Sequence, residues 1–586
     1  MPNGAELFAR TAARLGIDTV FTLVGDHLNE VLWEAARAGI RIVDMRHESG
    51  VTHAADAWAR IHRRPALSLV TGGPGHTNSL TGIATAQLAG SPLIAVSGSR
   101  PSGMSGRNAF QDIDQAGMTR PVVKWAAEPP NSSAIPAYLE QAYREADDGR
   151  KGAVHLTIPV DLFLAETQSE PPTGGGRAAE DGPAASGNFL PDPASCRHAV
   201  EMLRKAGRPV VIAGSGVWWG HAEEALRRFI EHTALPLYTI TMARGTVSDD
   251  HPLVMGYADP ALNYAVHTAF QDADLFLVIG KRIDYRLGMG GPRVFPAAAR
   301  FIQVDVHPQE LGLNRRLELG ICAGAREALE QLREAAGKQA WPERPWVERL
   351  RGLRSAWRGR LDRAASDNGQ PLHPAAFFRE LREALPSGVL YSWDGGDFAH
   401  WGRAMLPARQ AGGWLRLGPL GTIGSSLPNG LALQLAHPDR QVVAITGDGA
   451  LGFYLAEMDS LVRHRLPLVL IVGNDAGWGL ERELQSAAAH SAADSARSGA
   501  APAETVACEL RSTRYDVVMQ GFGGAGETVD RLEQVRPAVE RALRAGQPYC
   551  VNVKIRGVRS PFTEWQIAGK AARGNASAPA AGLLRT

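Results

Sequence analysis

The sequence predicts an α/β protein built from three doubly wound parallel-sheet domains, the middle one Rossmann-like. Three observations carry this expectation. First, short runs of branched apolar residues that end in glycine or a charge recur along the chain, among them "ALSLVTGG", "PLIAVSG", "PVVIAGSG", "LFLVIGKR", "RFIQVD", "QVVAITGDG" and "PLVLIVGN". Continuous apolar runs, without alternation, mark strands buried on both faces. Second, helical patterns separate these runs, the alternation that makes parallel sheets flanked by helices. Third, "ALSLVTGGPGHTNSLTGIATAQLAGSPLIAVSG" and "QVVAITGDGALGFYLAEMDSLVRHRLPLVLIVGN" share the order strand, Gly-rich turn, helix, Pro, strand. The first and last thirds are therefore expected to share a topology.

At 586 residues the chain is too long for one core and suits domains of roughly 150 residues each. Residues 166–192 are rich in Pro, Gly, Ser and charge and read as a linker. They separate a first block, 1–165, from a middle block, 193–335. A helical linker at 336–372 leads to a third block, 373–558, and 559–586 reads as a mobile tail, expected to order over a nucleotide-bearing substrate.

Composition narrows the function classes. The 62 basic and 61 acidic residues nearly cancel, so no global field draws the chain to nucleic acid or an anionic membrane. Four cysteines, Cys196, Cys322, Cys508 and Cys550, lack CxxC spacing, which argues against a zinc site and fits a reducing cytoplasm. The opening "MPNGAELFARTAARLG" lacks the apolar run of a signal peptide, and no stretch of about 18 apolar residues is present.

Taken in order, the chemistry-bearing stretches lie at strand ends, where ligands of such sheets bind. In "GIRIVDMRHESGVTHAADAWARI" (39–61) a strand gives way to an Ala-rich helix through the polar "RHES", which places Glu48 at the entrance to the core. In "TGDGALGF" a strand ends in Asp448 between Gly447 and Gly449, and a helix follows. The glycines admit a diphosphate to the backbone, and the helix start supplies amide donors. No Lys-Ser/Thr follows, so this is not a P-loop. A lone carboxylate there suits a hard cation bridging protein and phosphate. Asn474, 26 positions on in "GNDAGWG", adds an amide oxygen at the next strand end, enough with turn carbonyls, water and phosphate for an octahedral Mg²⁺ shell. In the middle block, Gly214, Gly216, Arg282 and Asp305 end strands, and Arg286 follows close behind Arg282. An Asp at such a place can hold a ribose hydroxyl and an Arg a phosphate. Since "GSGVWWG" is not a full GxGxxG, a purely structural spacer stands as the equal alternative.

"GDG…N" at this spacing resembles the thiamine diphosphate (ThDP) motif, and the resemblance spans about 1–558. "RHESGVTHAADAWAR" and "FQDIDQAGMTRPVVKW" look like the pyrimidine-binding domain of the acetohydroxyacid (acetolactate) synthase group, and "LFLVIGKRIDYRLGMGG" like its middle domain. "VFTLVGDHLNE" and "GNDAGWG" are most similar to acetolactate-synthase-like 2-hydroxyacyl-CoA lyases, with benzaldehyde lyase near. The resemblance implies the following roles. Glu48 hydrogen-bonds N1′ of the aminopyrimidine and promotes the imino tautomer that takes the C2 proton. Gly421 contacts the 4′-amino group, and Ile423 wedges between the two rings. Gly395, Gly396, Gly447, Gly449 and Ala450 cradle the diphosphate. Asp448, Asn474 and the Ala476 carbonyl hold Mg²⁺, with Asp475 behind them in place of the second Asn of many relatives. Asp26, His27, Gln111 and His76 line the reaction pocket, His76 from a loop facing the cofactor, and Trp478, Leu480 and Glu481 border its entrance. The middle block takes FAD, ADP or CoA, or nothing.

The implied activity is a ThDP- and Mg²⁺-dependent lyase or carboligase, of the 2-hydroxyacyl-CoA lyase kind before acetolactate synthase or acyloin cleavage. A catalytically silent ThDP-fold binder is disfavoured by the presence of Glu48, Asp448 and Asn474 together. The resemblance also implies a homodimer or homotetramer acting on an aldehyde, 2-keto acid or acyl-CoA, since each cofactor is shared between two subunits.

Overall fold

The computed structural model describes residues 1–168, 189–495 and 505–574, so most of the linker expected at 166–192 lies outside the described residues. Three six-stranded sheets are present. The first comprises β1 (Thr19–Leu23), β2 (Arg41–Asp44), β3 (Ala66–Val70), β4 (Leu93–Ser99), β5 (Trp125–Ala127) and β6 (Val154–Pro159), in the order β2-β1-β3-β4-β6-β5. The second comprises β7 (Pro209–Ala213), β8 (Leu237–Thr239), β9 (Val254–Tyr257), β10 (Leu275–Ile279), β11 (Arg300–Asp305) and β12 (Leu319–Cys322), in the order β12-β11-β10-β7-β8-β9. The third comprises β13 (Leu390–Trp393), β14 (Trp414–Arg416), β15 (Val442–Gly447), β16 (Val469–Asn474), β17 (Ala525–Val529) and β18 (Tyr549–Lys554), in the order β14-β13-β15-β16-β18-β17. The first and third orders are the same permutation, as the paired sequence pattern predicts. The second is the Rossmann order. Pairings in all three sheets are parallel.

The apolar runs are continuous because both sheet faces are covered. In β10, Leu275, Leu277 and Ile279 enter one core, while Phe276 and Val278 enter another on the opposite face. β7 divides in the same way, with Val211 and Ala213 against Val210 and Ile212. Each such buried side chain contributes roughly 1.5–3 kcal/mol of transfer free energy, so a polar residue at any of these positions is excluded.

By contacts the chain forms two compact units. One comprises Met1–Gly187, Leu415–Val442 and Phe453–Leu468, and the other Asn188–Trp414, Val443–Gly452 and Val469–Thr586. The helices Ser426–Ala436 and Glu457–Arg463 thus belong with the first sheet although their sequence lies in the third block. Ser426–Ala436 is apolar on nearly every side, and it packs against Glu48–His62. The helix Glu48–His62 also packs closely on Pro74–Ala89: a Cβ on Gly82 would stand 1.9 Å from the Thr52 hydroxyl, so only glycine allows the approach. That hydroxyl lies within hydrogen-bond reach of the carbonyls of Glu48 and Ser79.

Candidate active site

In both the first and third sheets the strand order reverses beside the first strand, between β1 and β3 and between β13 and β15. Crevices at such switch points are where open α/β sheets bind ligands.

At the first switch point β1 runs into a short 3₁₀ turn, Asp26–Leu28, and β3 into the glycines before Pro74. Asp26 is exposed and His27 buried. The Gly72 N–H donates to His27 Nδ1 over 3.2 Å, and Thr71 Oγ1 lies 3.0 Å from the same atom. Burial lowers the His27 pKa, so the imidazole is neutral and Nε2 carries its proton. Gln111 adopts φ 60° and packs on Gly73, where a Cβ would meet its side chain at 2.8 Å.

Glu48 is the first residue of its helix and only 9 % exposed. His47, extended before it, caps the helix by accepting from the Ser49 N–H. Glu48 Oε2 accepts from Asn78 Nδ2 over 3.0 Å, and Gly75 leaves room for Oε1. Asn78 carries no motif of its own; its one signal in the sequence is its position one turn into the helix that opens "PGHTN". Gly421 has φ 81° with open space where a Cβ would stand, and Ile423 is half-buried beside it.

His76 corrects an expectation. It lies on the helix Pro74–Ala89, not on a loop, and is fully buried. Nδ1 meets Ser97 Oγ at 2.9 Å and Nε2 meets Thr119 Oγ1 at 3.1 Å, so both nitrogens are engaged inside the domain. Burial brings its pKa to about 4, and burial plus Arg60 bring that of fully buried His53 to about 3. Both depressed values lie below the unfolded value, so these groups favour folding above pH 6.5 and lose that contribution as pH falls. His53→Phe is therefore expected to flatten the acid limb of stability between pH 6.5 and about 3, by roughly 1.4 kcal/mol per pH unit. Thermal midpoints of the apoprotein against pH measure this.

At the third switch point Gly395 and Gly396 open the helix Gly396–Met405. Gly396 has φ 81° and no heavy atom within 4 Å of a Cβ position, an open cradle. Thr446 Oγ1 donates to Asp394 Oδ2 over 3.2 Å, which joins this loop to the "GDG" strand. Gly447 precedes the short helix Asp448–Leu451, and Gly449 lies under the Trp478 ring, 2.8 Å from a Cβ position. Ala450 is buried in the same turn. Asp448 Oδ2 accepts from the Gly477 N–H over 3.1 Å, so the two loops are joined directly. Asn474 Nδ2 donates to the Thr513 carbonyl and to Asn552 Oδ1, leaving Oδ1 to the Ala476 N–H at 3.3 Å. Ala476 sits at φ 54°, and its carbonyl accepts from the Leu510 N–H at 2.8 Å and, at the longer distance of 3.5 Å, from Arg482 Nη2, the bond a cation there would displace.

Burial, and after it the Asp475 carboxylate, push Asp448 up to about 7. Asp475 is raised by burial as well, against the pull of Arg482. Two buried carboxyls side by side are what a divalent cation would relieve, and the oxygen donor set suits Mg²⁺. Among the described residues no group of three or more His, Cys, Asp or Glu could hold a metal. This set has one carboxylate, one amide and one carbonyl, and is of a different kind. Trp478 and Leu480 are half-buried and Glu481 exposed at the start of the helix Gly479–Ser495.

In the middle sheet Gly216 and Gly280 approach so closely that a Cβ on Gly216 would lie 2.6 Å from the Gly280 Cα. The phosphate reading of Arg286 does not hold. Its half-buried guanidinium pairs with the buried Asp259 at 2.8 Å, so its charge is already compensated. Asp305 Oδ1 accepts the His307 N–H. Of the expected tail, Pro561–Gly574 forms a helix.

Three family profiles match the chain: "Thiamine pyrophosphate enzyme, N-terminal TPP binding domain" over residues 2–118, its central domain over 196–332, and its C-terminal TPP binding domain over 394–553. The chain belongs to the thiamine pyrophosphate enzyme family. It is 34% identical over 552 residues to the acetolactate synthase large subunit IlvG of Mycobacterium tuberculosis, covering 94% of this chain and 95% of the relative. It is 31% identical to a 2-hydroxyacyl-CoA lyase of Oryza sativa subsp. japonica, covering 94% and 95%. It is 30% identical to 2-hydroxyacyl-CoA lyase 2 of Homo sapiens, covering 97% and 92%. The chain is thus an enzyme of the acetolactate-synthase-like group, with ThDP as cofactor. No helix among the described residues is long and apolar enough to cross a membrane.

Proposed function

We propose that this thiamine pyrophosphate enzyme is a Mg²⁺-dependent carbon–carbon lyase that cleaves 2-hydroxyacyl-CoA to an aldehyde and formyl-CoA, or runs the reverse condensation. Bound ThDP supplies a carbon nucleophile and an electron sink for a carbanion beside a carbonyl. Glu48 holds and returns the proton at N1′, the task for which its buried position next to Asn78 suits it. Gly421 and Ile423 shape the cofactor; Gly395, Gly396, Gly447, Gly449 and Ala450 cradle the diphosphate. Asp448, Asn474 and the Ala476 carbonyl hold the metal. Neutral His27, with Asp26 and Gln111 beside its switch point, donates a hydrogen bond toward the substrate oxygen.

The substrate reading is supported by the 30% and 31% identity to two 2-hydroxyacyl-CoA lyases over nearly the whole chain, together with the resemblance of "GNDAGWG", with Asp475 after Asn474, to that lyase-like group. The Asp475 charge is answered by Arg482 at 3.6 Å, so it supports the loop without entering the metal shell. Acetolactate synthase is the second reading, favoured by the 34% identity to IlvG. The active form is a homodimer, or a homotetramer made of two, in which Glu48 of one copy serves a cofactor held by the other. The block limits are 1–165, 193–335 and 373–558, and the compartment is the cytoplasm, which four free cysteines fit.

The test offers pyruvate, a benzoin-type acyloin and a 2-hydroxyacyl-CoA to the protein with ThDP and Mg²⁺ and identifies products by mass spectrometry. Formyl-CoA with an aldehyde one carbon shorter is the expected outcome. Acetolactate from pyruvate alone overturns the lyase reading in favour of the second, and acyloin cleavage alone assigns a benzaldehyde-lyase-like activity.

A further inference from the structure

A second buried carboxyl meets the main chain on both sides of Glu48. Glu457 opens the helix Glu457–Arg463 and is 1 % exposed. Its two oxygens each lie 3.3 Å from the Arg46 nitrogen, whose N–H donates to them, and the His47 N–H donates as well. Ser460 Oγ donates to it over 2.6 Å. On the other side of Glu48, a Cβ on Gly50 would stand 2.5 Å from Glu457 Oε1, so glycine is required for the carboxylate to reach its place. Two neighbours complete the grip: the Tyr454 hydroxyl is 2.6 Å from Ser49 Oγ, and Asp459 pairs with Arg46 at 3.5 Å. Residues 454–460 therefore hold positions 46, 47, 49 and 50, while the Glu48 carboxyl itself is left to Asn78.

The arrangement costs free energy, because burial pushes the Glu457 carboxyl up to about 7 against its donors. An amide of the same shape would avoid that cost. It would also present its own NH₂ to a backbone N–H, and one of the two acceptor positions would be lost. A carboxylate is the side chain that accepts on both oxygens, and negative charge at a helix start is favoured besides.

We propose that Glu457 is a positioning residue for Glu48: it fixes the main chain at 46–50 so that the Glu48 carboxyl stands in one place for its proton exchange with the cofactor. This rests on the ThDP reading of Glu48. A displacement of about 1 Å at such a group can lower a rate about 100-fold.

The test compares wild type with Glu457→Gln, and with Gly50→Ala, which displaces the carboxylate from the opposite side. Hydrogen exchange by mass spectrometry on the peptide spanning 44–50 of the apoprotein reports the grip without any cofactor. Thermal unfolding verifies that each variant is folded. Fluorescence titration gives ThDP affinity, and quenched-flow NMR gives C2–H exchange of the bound cofactor. Faster amide exchange at 44–50, ThDP affinity within about threefold, and C2 exchange slowed 10- to 100-fold in both variants are expected. Loosened amides with C2 exchange at the wild-type rate would leave Glu457 a merely structural group and overturn the proposal. Wild type that protects 44–50 but shows no accelerated C2 exchange would instead remove the ThDP reading of Glu48, and the proposal with it.

Discussion

Glu48→Gln is expected to lower turnover by a factor of 10²–10⁴, the usual loss when a positioned acid–base group is removed. The apoprotein's thermal midpoint should barely move, because Gln can still accept from Asn78 through its amide oxygen. ThDP affinity, read by fluorescence quenching, should stay within a few-fold, since the diphosphate and metal groups are untouched. C2–H exchange of bound ThDP should fall in step with turnover. Full activity in the variant would show that the carboxyl is a helix-start charge and nothing more. Glu457→Gln would then have no proton exchange left to disturb.

Asp448→Asn is expected to have the second large effect, and in two directions. Metal-dependent ThDP binding should weaken by about 100-fold or more, given that groups merely supporting a metal ligand cost 10–100-fold when removed. The apoprotein should nevertheless become more stable, by on the order of 1 kcal/mol, because one of two neighbouring buried carboxyls is gone. Titrations of ThDP at fixed Mg²⁺, with thermal midpoints of the metal-free protein, measure both signs. A variant less stable than wild type without metal would mean that the Gly477 N–H bond to Asp448 outweighs the repulsion from Asp475. The two variants also separate the two halves of the chemistry. Glu48→Gln is expected to keep the cofactor and lose proton exchange, whereas Asp448→Asn is expected to lose the cofactor.

Much of the architecture was readable along the chain. The runs from "ALSLVTGG" to "PLVLIVGN" became parallel strands because strands buried on both faces are apolar at nearly every position. Their alternation with helices left few alternatives to parallel sheets. The common order of the first and third sheets followed from one repeated spacing. Glu48, Asp448 and Asn474 stand out as candidates for a local reason as well: Asn474 ends a strand, Asp448 follows one directly, and Glu48 opens the helix four residues past another, the places where such sheets present side chains to a crevice.

What the sequence left open depended on partners far away in the chain. His76 sits beside glycines as a loop residue would, yet Ser97 and Thr119 close around it, and only folding brings positions 76, 97 and 119 together. Arg286 reads as a free cation until Asp259 is found 2.8 Å away. Asn78 and Glu457 carry no motif of their own, and nothing in "EMDSLV" announces that its glutamate receives two backbone amides some 410 positions earlier. The strands, and which candidate residues stand near their ends, were thus determined by the sequence itself, through burial patterns and strand-end geometry. The tertiary structure decided which charges are compensated and what holds each side chain still, since hydrogen bonds act between neighbours in space.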